Sequence, residues 1–139
     1  MKKLHVALLA AAAIASATAV TQAADFREHR AIYVTPYLAD WPTGGITTGN
    51  ASTYQRILRT NLDNFKAGGV NVIYYHVRSM CDATYKSKYE PWSKGVSGTR
   101  GKEPAFDPLE YLVVEAHARG IEVYAWFNPY RYCGVYGNG

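Results

Sequence analysis

Hydrophobic and polar positions divide the chain into three short apolar runs separated by two stretches of helical periodicity. Ala31-Ile32-Tyr33-Val34-Thr35 is β-branched and aromatic and stops at Pro36, which marks a strand. Tyr54, Ile57, Leu58, Leu62 and Phe65 recur at the spacing of one helix face, and Gly68-Gly69 closes that helix. Ser52 stands three residues before Gln55, so a capping box is expected to open it. The run from Val70 to Val77 is almost continuously apolar, as suits a strand covered on both faces. Arg78 to about Phe106 reads as a long loop. Asp107-Pro108-Leu109-Glu110 then supplies an N-cap, a proline at the first helical position and a glutamate at the third. Leu109, Leu112, Val113 and Ala116 form the apolar stripe of this second helix, and Gly120 ends it. Ile121 to Phe127 is the third strand, followed by an aromatic, Gly-rich tail to Gly139.

The resulting order, βαβαβ, implies an α/β fold with parallel strands joined by crossovers. It fits either a doubly wound sheet or part of an eightfold barrel. The polar and aromatic residues are not spread evenly over this frame. Asp40 and Trp41 follow the first strand, Arg78, Asp82, Tyr85, Glu90 and Trp92 the second, and Asn128, Tyr130 and Arg131 the third. The helix-to-strand connections, Gly68-Gly69 and Arg119-Gly120, are short and plain. Every strand-to-helix loop of a parallel sheet opens beyond the carboxyl ends of the strands, where barrels and open sheets alike carry their sites. Trp and Tyr offer flat apolar surfaces for the C–H faces of a sugar ring, while Asp, Asn and Arg offer directional hydrogen bonds. Arg also suits a substrate carboxylate.

The amino terminus has a separate function. Met1-Lys2-Lys3, the apolar run Leu4–Val20 and the small residues ending at Ala23-Ala24 form the three-part pattern of a secretory signal, expected over 1–24 with the mature protein at 25–139. The expected location is therefore periplasmic or extracellular. Of 139 residues, 15 are Lys or Arg and 11 Asp or Glu, and Lys2 and Lys3 leave with the signal. The remaining basic residues are scattered, so no nucleic-acid partner is expected. No second apolar stretch approaches spanning length, so no membrane association is expected after cleavage. A hydrophobic content of 48% with 12 Tyr and 3 Trp excludes a disordered chain. Two cysteines support neither a disulfide scaffold nor a four-thiolate metal site. Cys81 and Cys133 follow neighbouring strands, and export permits their oxidation, but the spacing leaves pairing open. No pair of His, Asp or Glu has a zinc-like arrangement, so no metal or cofactor is expected. His76, at the end of the second strand, could be a base or a ligand, but a lone histidine more often is a hydrogen-bonded interior residue. Trp126 lies within a strand and reads as core or barrel lining. Gly95 to Gly101 does not run from a strand into a helix and is no phosphate cradle. Asn50-Ala51-Ser52 is a formal glycan acceptor, with Ser52 better explained as a helix cap.

Several ordered motifs resemble one family. They are Asp40-Trp41-Pro42, the stretch from Val77-Arg78-Ser79-Met80-Cys81-Asp82 through Tyr85 to Tyr89-Glu90-Pro91-Trp92-Ser93, Phe106-Asp107-Pro108-Leu109, Glu115-Ala116-His117-Ala118-Arg119-Gly120, and Ala125-Trp126-Phe127-Asn128-Pro129-Tyr130-Arg131. Together they are similar to the opening of the glycosyl-hydrolase-like family 10 domain, from about Phe26 to Arg131. The resemblance implies a partial TIM (β/α)8 barrel, about the first three strands and two helices, of an exported glycosidase acting on the O-glycosidic bonds of glycan strands; some relatives act on peptidoglycan. A whole barrel takes about 250 residues. The acids expected as catalysts in that family follow later strands, beginning with the fourth, so they are expected beyond Gly139. Glycoside hydrolysis uses two carboxyl groups across the scissile bond, and Asp40, Asp82 and Glu90 match none of the family's catalytic positions. The expected substrate-binding set is Asp40, Trp41, Arg78, Asp82, Tyr85, Glu90, Trp92, Asn128, Tyr130 and Arg131. Structural readings stand beside it. Arg78 and Asp82 could pair or cap the loop, Glu90 could orient it, and Tyr85 and Trp92 could pack it onto the wall. At the level of the chain, the reading is the amino-terminal fragment of a glycoside hydrolase. The alternatives are a non-catalytic carbohydrate-binding remnant and an inactive truncated product.

Overall fold

The computed structural model describes residues 27–36 and 45–132. The expected signal segment, Asp40, Trp41 and Cys133 lie outside the described residues. The element order is β1 (Ala31–Val34), α1 (Ala51–Ala67), β2 (Val72–Arg78), α2 (Lys94–Ser97), α3 (Pro108–His117) and β3 (Glu122–Phe127). The three strands form one parallel sheet in the order β1-β2-β3, as the alternation of elements implied. Tyr33, Tyr74 and Tyr124 stand in register across it, as do Val34, Tyr75 and Ala125.

Side chains of a strand alternate between the two faces of its sheet. One face carries Val34, Ile73, Tyr75 and Val77, which pack with Leu58 and Leu62 of α1 and Leu112 and Ala116 of α3. Leu58, Leu62 and Leu112 are wholly buried, each a contribution of about 1.5–3 kcal/mol. Arg119 ties the two helices, with its guanidinium 2.7 Å from Asp63 of α1 and 2.7 Å from Glu115 of α3. The opposite face carries Tyr33, Tyr74, His76, Tyr124 and Trp126. Coverage there is uneven: His76 is buried, while Tyr33 and Tyr124 of the flanking strands are exposed. The expectation of a strand covered on both faces is thus met by much of β2 and not by its neighbours.

Two local expectations need correction. The Ser52–Gln55 capping box does not open α1. The amide of Tyr54 donates to the Asn50 carbonyl at 2.9 Å, so Asn50 is the cap position and Ser52 already lies in the first turn. The Asn50 side chain makes no cap bond. It accepts from the Thr47 amide at 2.8 Å and donates to the Gly45 carbonyl at 2.9 Å, bracing the turn before the helix. Second, the region from Ser79 to Phe106 is not a plain loop. Ala83 and Trp92 form a parallel bridge, and α2 is a single turn capped by Ser93, which accepts from the Gly95 amide at 3.3 Å. Gly45, at φ +80°, lies against that turn; a Cβ there would meet the Gly98 nitrogen at 2.6 Å. Asp107 caps α3 as expected, accepting from Leu109 and Glu110 at 2.9 and 3.1 Å, and its second oxygen holds the Lys86 amide at 2.9 Å.

Candidate functional site

The carboxyl ends of β2 and β3 are joined by one side chain. Arg78, the last residue of β2, donates from Nε and Nη2 to Glu90 Oε1 at 3.0 and 2.8 Å. Its Nη1 donates to the Asn128 and Pro129 carbonyls, both at 3.1 Å. Its Nη2 also reaches Cys81 Sγ at 3.4 Å. These contacts use the whole fork of a guanidinium. The Glu90 hydrogen bond raises the Arg78 pKa further above its ordinary value, so the group stays charged. Glu90 is held in turn through its amide, which donates to Ser87 Oγ at 3.1 Å. The partner of Arg78 is therefore Glu90, not Asp82.

Asp82 has a different role in the structure. It is buried, and one oxygen accepts from the Ser79 amide at 3.2 Å, the Ser79 hydroxyl at 3.1 Å and the Met80 amide at 2.9 Å. It closes the turn that carries Cys81, which sits at φ +50°, a left-handed conformation uncommon outside glycine. The Cys81 thiol donates to the Arg131 carbonyl at 3.7 Å. Tyr85 and Trp92 are half-buried and pack against the core, as the structural reading of those residues had it. Tyr130 is 97% exposed. Asn128 accepts from Trp126 Nε1 at 3.1 Å through its side-chain oxygen, and its amide donates to the Arg78 carbonyl at 2.9 Å. The fold therefore gathers Arg78, Glu90, Asn128 and the backbone of Arg131 at one end of the sheet. Asp82 is buried in the turn it closes, Tyr85 and Trp92 pack against the core, and Tyr130 stands in solvent.

Next to this cluster lies an aromatic surface that the candidate set omitted. Tyr33 and Tyr74 stack at 4.9 Å between ring centres, Tyr74 and Tyr124 are tilted at 5.5 Å, and Tyr33 meets Trp126 edge-on at 5.7 Å. One step nearer the carboxyl ends, His76 lies flat on Trp126, with 3.9 Å between ring centres and 9° between planes. The signal was present in the sequence as a period of two: Tyr74, His76 and Arg78 on one strand, Tyr124, Trp126 and Asn128 on the next. His76 Nδ1 lies 3.3 Å from Thr35 Oγ1 at the end of β1. Its Nε2 is buried and has no hydrogen-bond partner among the described residues. Burial lowers the His76 pKa. Asp82 and a hydrogen bond with the Arg78 backbone oppose that, and the Arg131 charge adds to it, so the imidazole is neutral at pH 7. Tyr33 and Tyr74, and likewise His76 and Trp126, thus turn their ring faces on one another across the strands. Among the described residues, no three His, Cys, Asp or Glu side chains gather as a metal-binding group.

The chain is 34% identical over 129 residues to Glycosyl hydrolase YngK of Bacillus subtilis (strain 168), a match covering 91% of this chain and 24% of that protein. It is 37% identical over 97 residues to Glycosyl hydrolase DigH of Escherichia coli (strain K12), covering 66% of this chain and 22% of the relative. The chain thus spans about a quarter of the length of these curated relatives. Residues 28–135 match the description of one family along almost all of the region that carries the sheet, the Arg78 cluster and the aromatic face. The chain belongs to the glycosyl hydrolase-like 10 family.

Proposed function

We propose that this chain is the amino-terminal part of an exported glycoside hydrolase whose complete fold is a (β/α)8 barrel. Its reaction is hydrolysis of O-glycosidic bonds in a polysaccharide, with the glycan strands of peptidoglycan as the substrate class to test first. Family membership supports the hydrolase class. The observation that carries the reading is the braced polar cluster of Arg78, Glu90 and Asn128 at the carboxyl ends of parallel strands, with Trp126 and His76 beside it. In this reading β1, β2 and β3 supply one wall of the glycan groove. Arg78, Glu90 and Asn128 shape its rim, and Tyr130 and Arg131 extend it; Asp40 and Trp41, outside the described residues, are assigned to substrate binding from the sequence alone.

The paired acids that break the bond are assigned to later strands of the barrel. Asp82 is committed to three hydrogen bonds in its turn and Glu90 to Arg78, which leaves neither poised across a scissile bond. The signal-like segment 1–24 supports export to the periplasm or the medium. The test is an assay of the purified 139-residue chain on glycan strands, with products separated chromatographically. The expected result is no turnover; robust release of shorter glycans would overturn the assignment of the acids. A purely carbohydrate-binding role has one observation in its favour, the exposure of Tyr33 and Tyr124 on the aromatic face. It predicts glycan binding by a protein to which no further strands are ever joined.

A further inference from the structure

Arg78 holds two separate stretches of chain with one guanidinium. Its Nη2 reaches Cys81 Sγ at 3.4 Å in the loop after β2, and its Nη1 reaches the Asn128 and Pro129 carbonyls at 3.1 Å in the segment after β3. The two stretches also meet directly, with the Cys81 thiol 3.7 Å from the Arg131 carbonyl. Cys81 is a free, half-buried thiol. Its backbone is set at φ +50° within the turn that Asp82 closes through Ser79 and Met80. Arg131 is held as well, its amide donating to the Asn128 carbonyl at 3.5 Å. The second cysteine of the sequence, Cys133, follows Arg131 by two positions and lies outside the described residues.

We propose that Cys81 and Cys133 are a modification site: in an oxidising compartment they join as a disulfide that ties the loop after β2 to the segment after β3. The inference rests on the export read from segment 1–24 and not on the glycan reading. Two residues of chain span at most about 7 Å, and a disulfide bridges Cα atoms about 4.4–6.8 Å apart. Chain length therefore permits the bridge from a residue two positions past one that touches Cys81 Sγ. A separation of 52 positions left this pairing open in the sequence; the contact at Arg131 is what favours it. The oxidant is a disulfide-bearing molecule of the compartment. One cysteine thiolate attacks it, forming a mixed disulfide and releasing one thiol. The other cysteine then attacks the sulfur of the first, which forms the Cys81–Cys133 bond and releases the second thiol. Both protons and both electrons end on the reduced oxidant. The bond holds the same two stretches that Arg78 joins, so it reinforces the Arg78, Glu90 and Asn128 cluster.

The test equilibrates the purified 139-residue chain with oxidised and reduced glutathione, in buffer and in concentrated urea. Free thiols, intact mass and cysteine-linked peptides are read. The expected product in buffer has no free thiol and no glutathione, is lighter than the reduced chain by two hydrogen atoms, and yields one peptide pair joined through Cys81 and Cys133. The effective concentration of one thiol for the other should be about a hundredfold higher in buffer than in urea, the counterpart of a typical disulfide's stabilisation. Cys133→Ser should instead retain glutathione on Cys81. Persistent free thiols or glutathione adducts on the wild-type chain overturn the bond. So does an effective concentration that is equal in buffer and in urea, because the fold then does nothing to bring the cysteines together. A second arm recovers the chain, expressed with segment 1–24, from the periplasm of a bacterial host, where it should carry the bond without added oxidant. A chain that forms the bond with glutathione but is recovered reduced from the host overturns the export reading and leaves the Cys81–Cys133 pairing in place.

Discussion

Replacing Asp82 separates a side chain that builds the loop from one that waits for a ligand. The carboxylate is 4% exposed and accepts three hydrogen bonds, at 3.2, 3.1 and 2.9 Å, all from the adjoining residues Ser79 and Met80. Asp82→Ala leaves two backbone amides and one hydroxyl without their acceptor in a largely buried turn. A net hydrogen bond contributes about 1 kcal/mol and a stranded buried donor costs more, so the loss should total about 3 kcal/mol. Asp82→Asn retains an acceptor at the same position and should cost about 1 kcal/mol. For a domain of this size, 1 kcal/mol moves Tm by about 4 °C, which places the alanine variant about 12 °C below wild type by the same scale. Thermal unfolding followed by far-UV circular dichroism, with urea unfolding as a check on two-state behaviour, measures both variants. An Asp82→Ala protein that melts within about 2 °C of wild type, no more than half the shift expected for 1 kcal/mol, would refute the argument. It would also return Asp82 to the set of groups held ready for a ligand.

Two further outcomes follow from the same contacts. The His76 pKa is lowered in the folded protein, so below its ordinary value near 6.5 the unfolded chain binds a proton that the folded chain refuses. Stability is therefore full above that pH and falls as pH drops from it toward the lowered folded value. A pH series of melting temperatures should show a fall below pH 6.5 that is reduced in His76→Phe; identical slopes in the two proteins would contradict the assignment. Gly45→Ala would drive a methyl group to 2.6 Å from the Gly98 nitrogen at a position with φ +80°. It should cost about 2–3 kcal/mol in urea unfolding, and a cost below about 0.5 kcal/mol would show that the contact yields easily.

Much of the fold was legible because its signals are local. Asp107, Pro108 and Glu110 lie within one turn, and the cap they foretold is formed. The alternation of strand and helix was enough to imply the parallel pairing that β1, β2 and β3 adopt. Local reading failed where two local solutions competed. Ser52 and Gln55 have the spacing of a capping box, but the turn braced by Asn50 starts the helix sooner. The bridge between Ala83 and Trp92 and the single turn of α2 carried too few residues to register as elements.

The sequence by itself determined which chemical groups reach the carboxyl ends of the strands, because strand period and chain order decide that. It also determined the family, through motifs whose order survives in the chain. Only the tertiary structure decided which groups meet. Arg78 chose Glu90, 12 positions away, and the Asn128 carbonyl, 50 positions away, over Asp82 four residues along. Strand register then set Tyr33, Tyr74 and Tyr124 in one row and laid His76 on Trp126. The reason is geometric: side-chain direction repeats every two residues and can be read from the chain. Contact between distant residues depends on loop path and register, which are fixed only when the core closes.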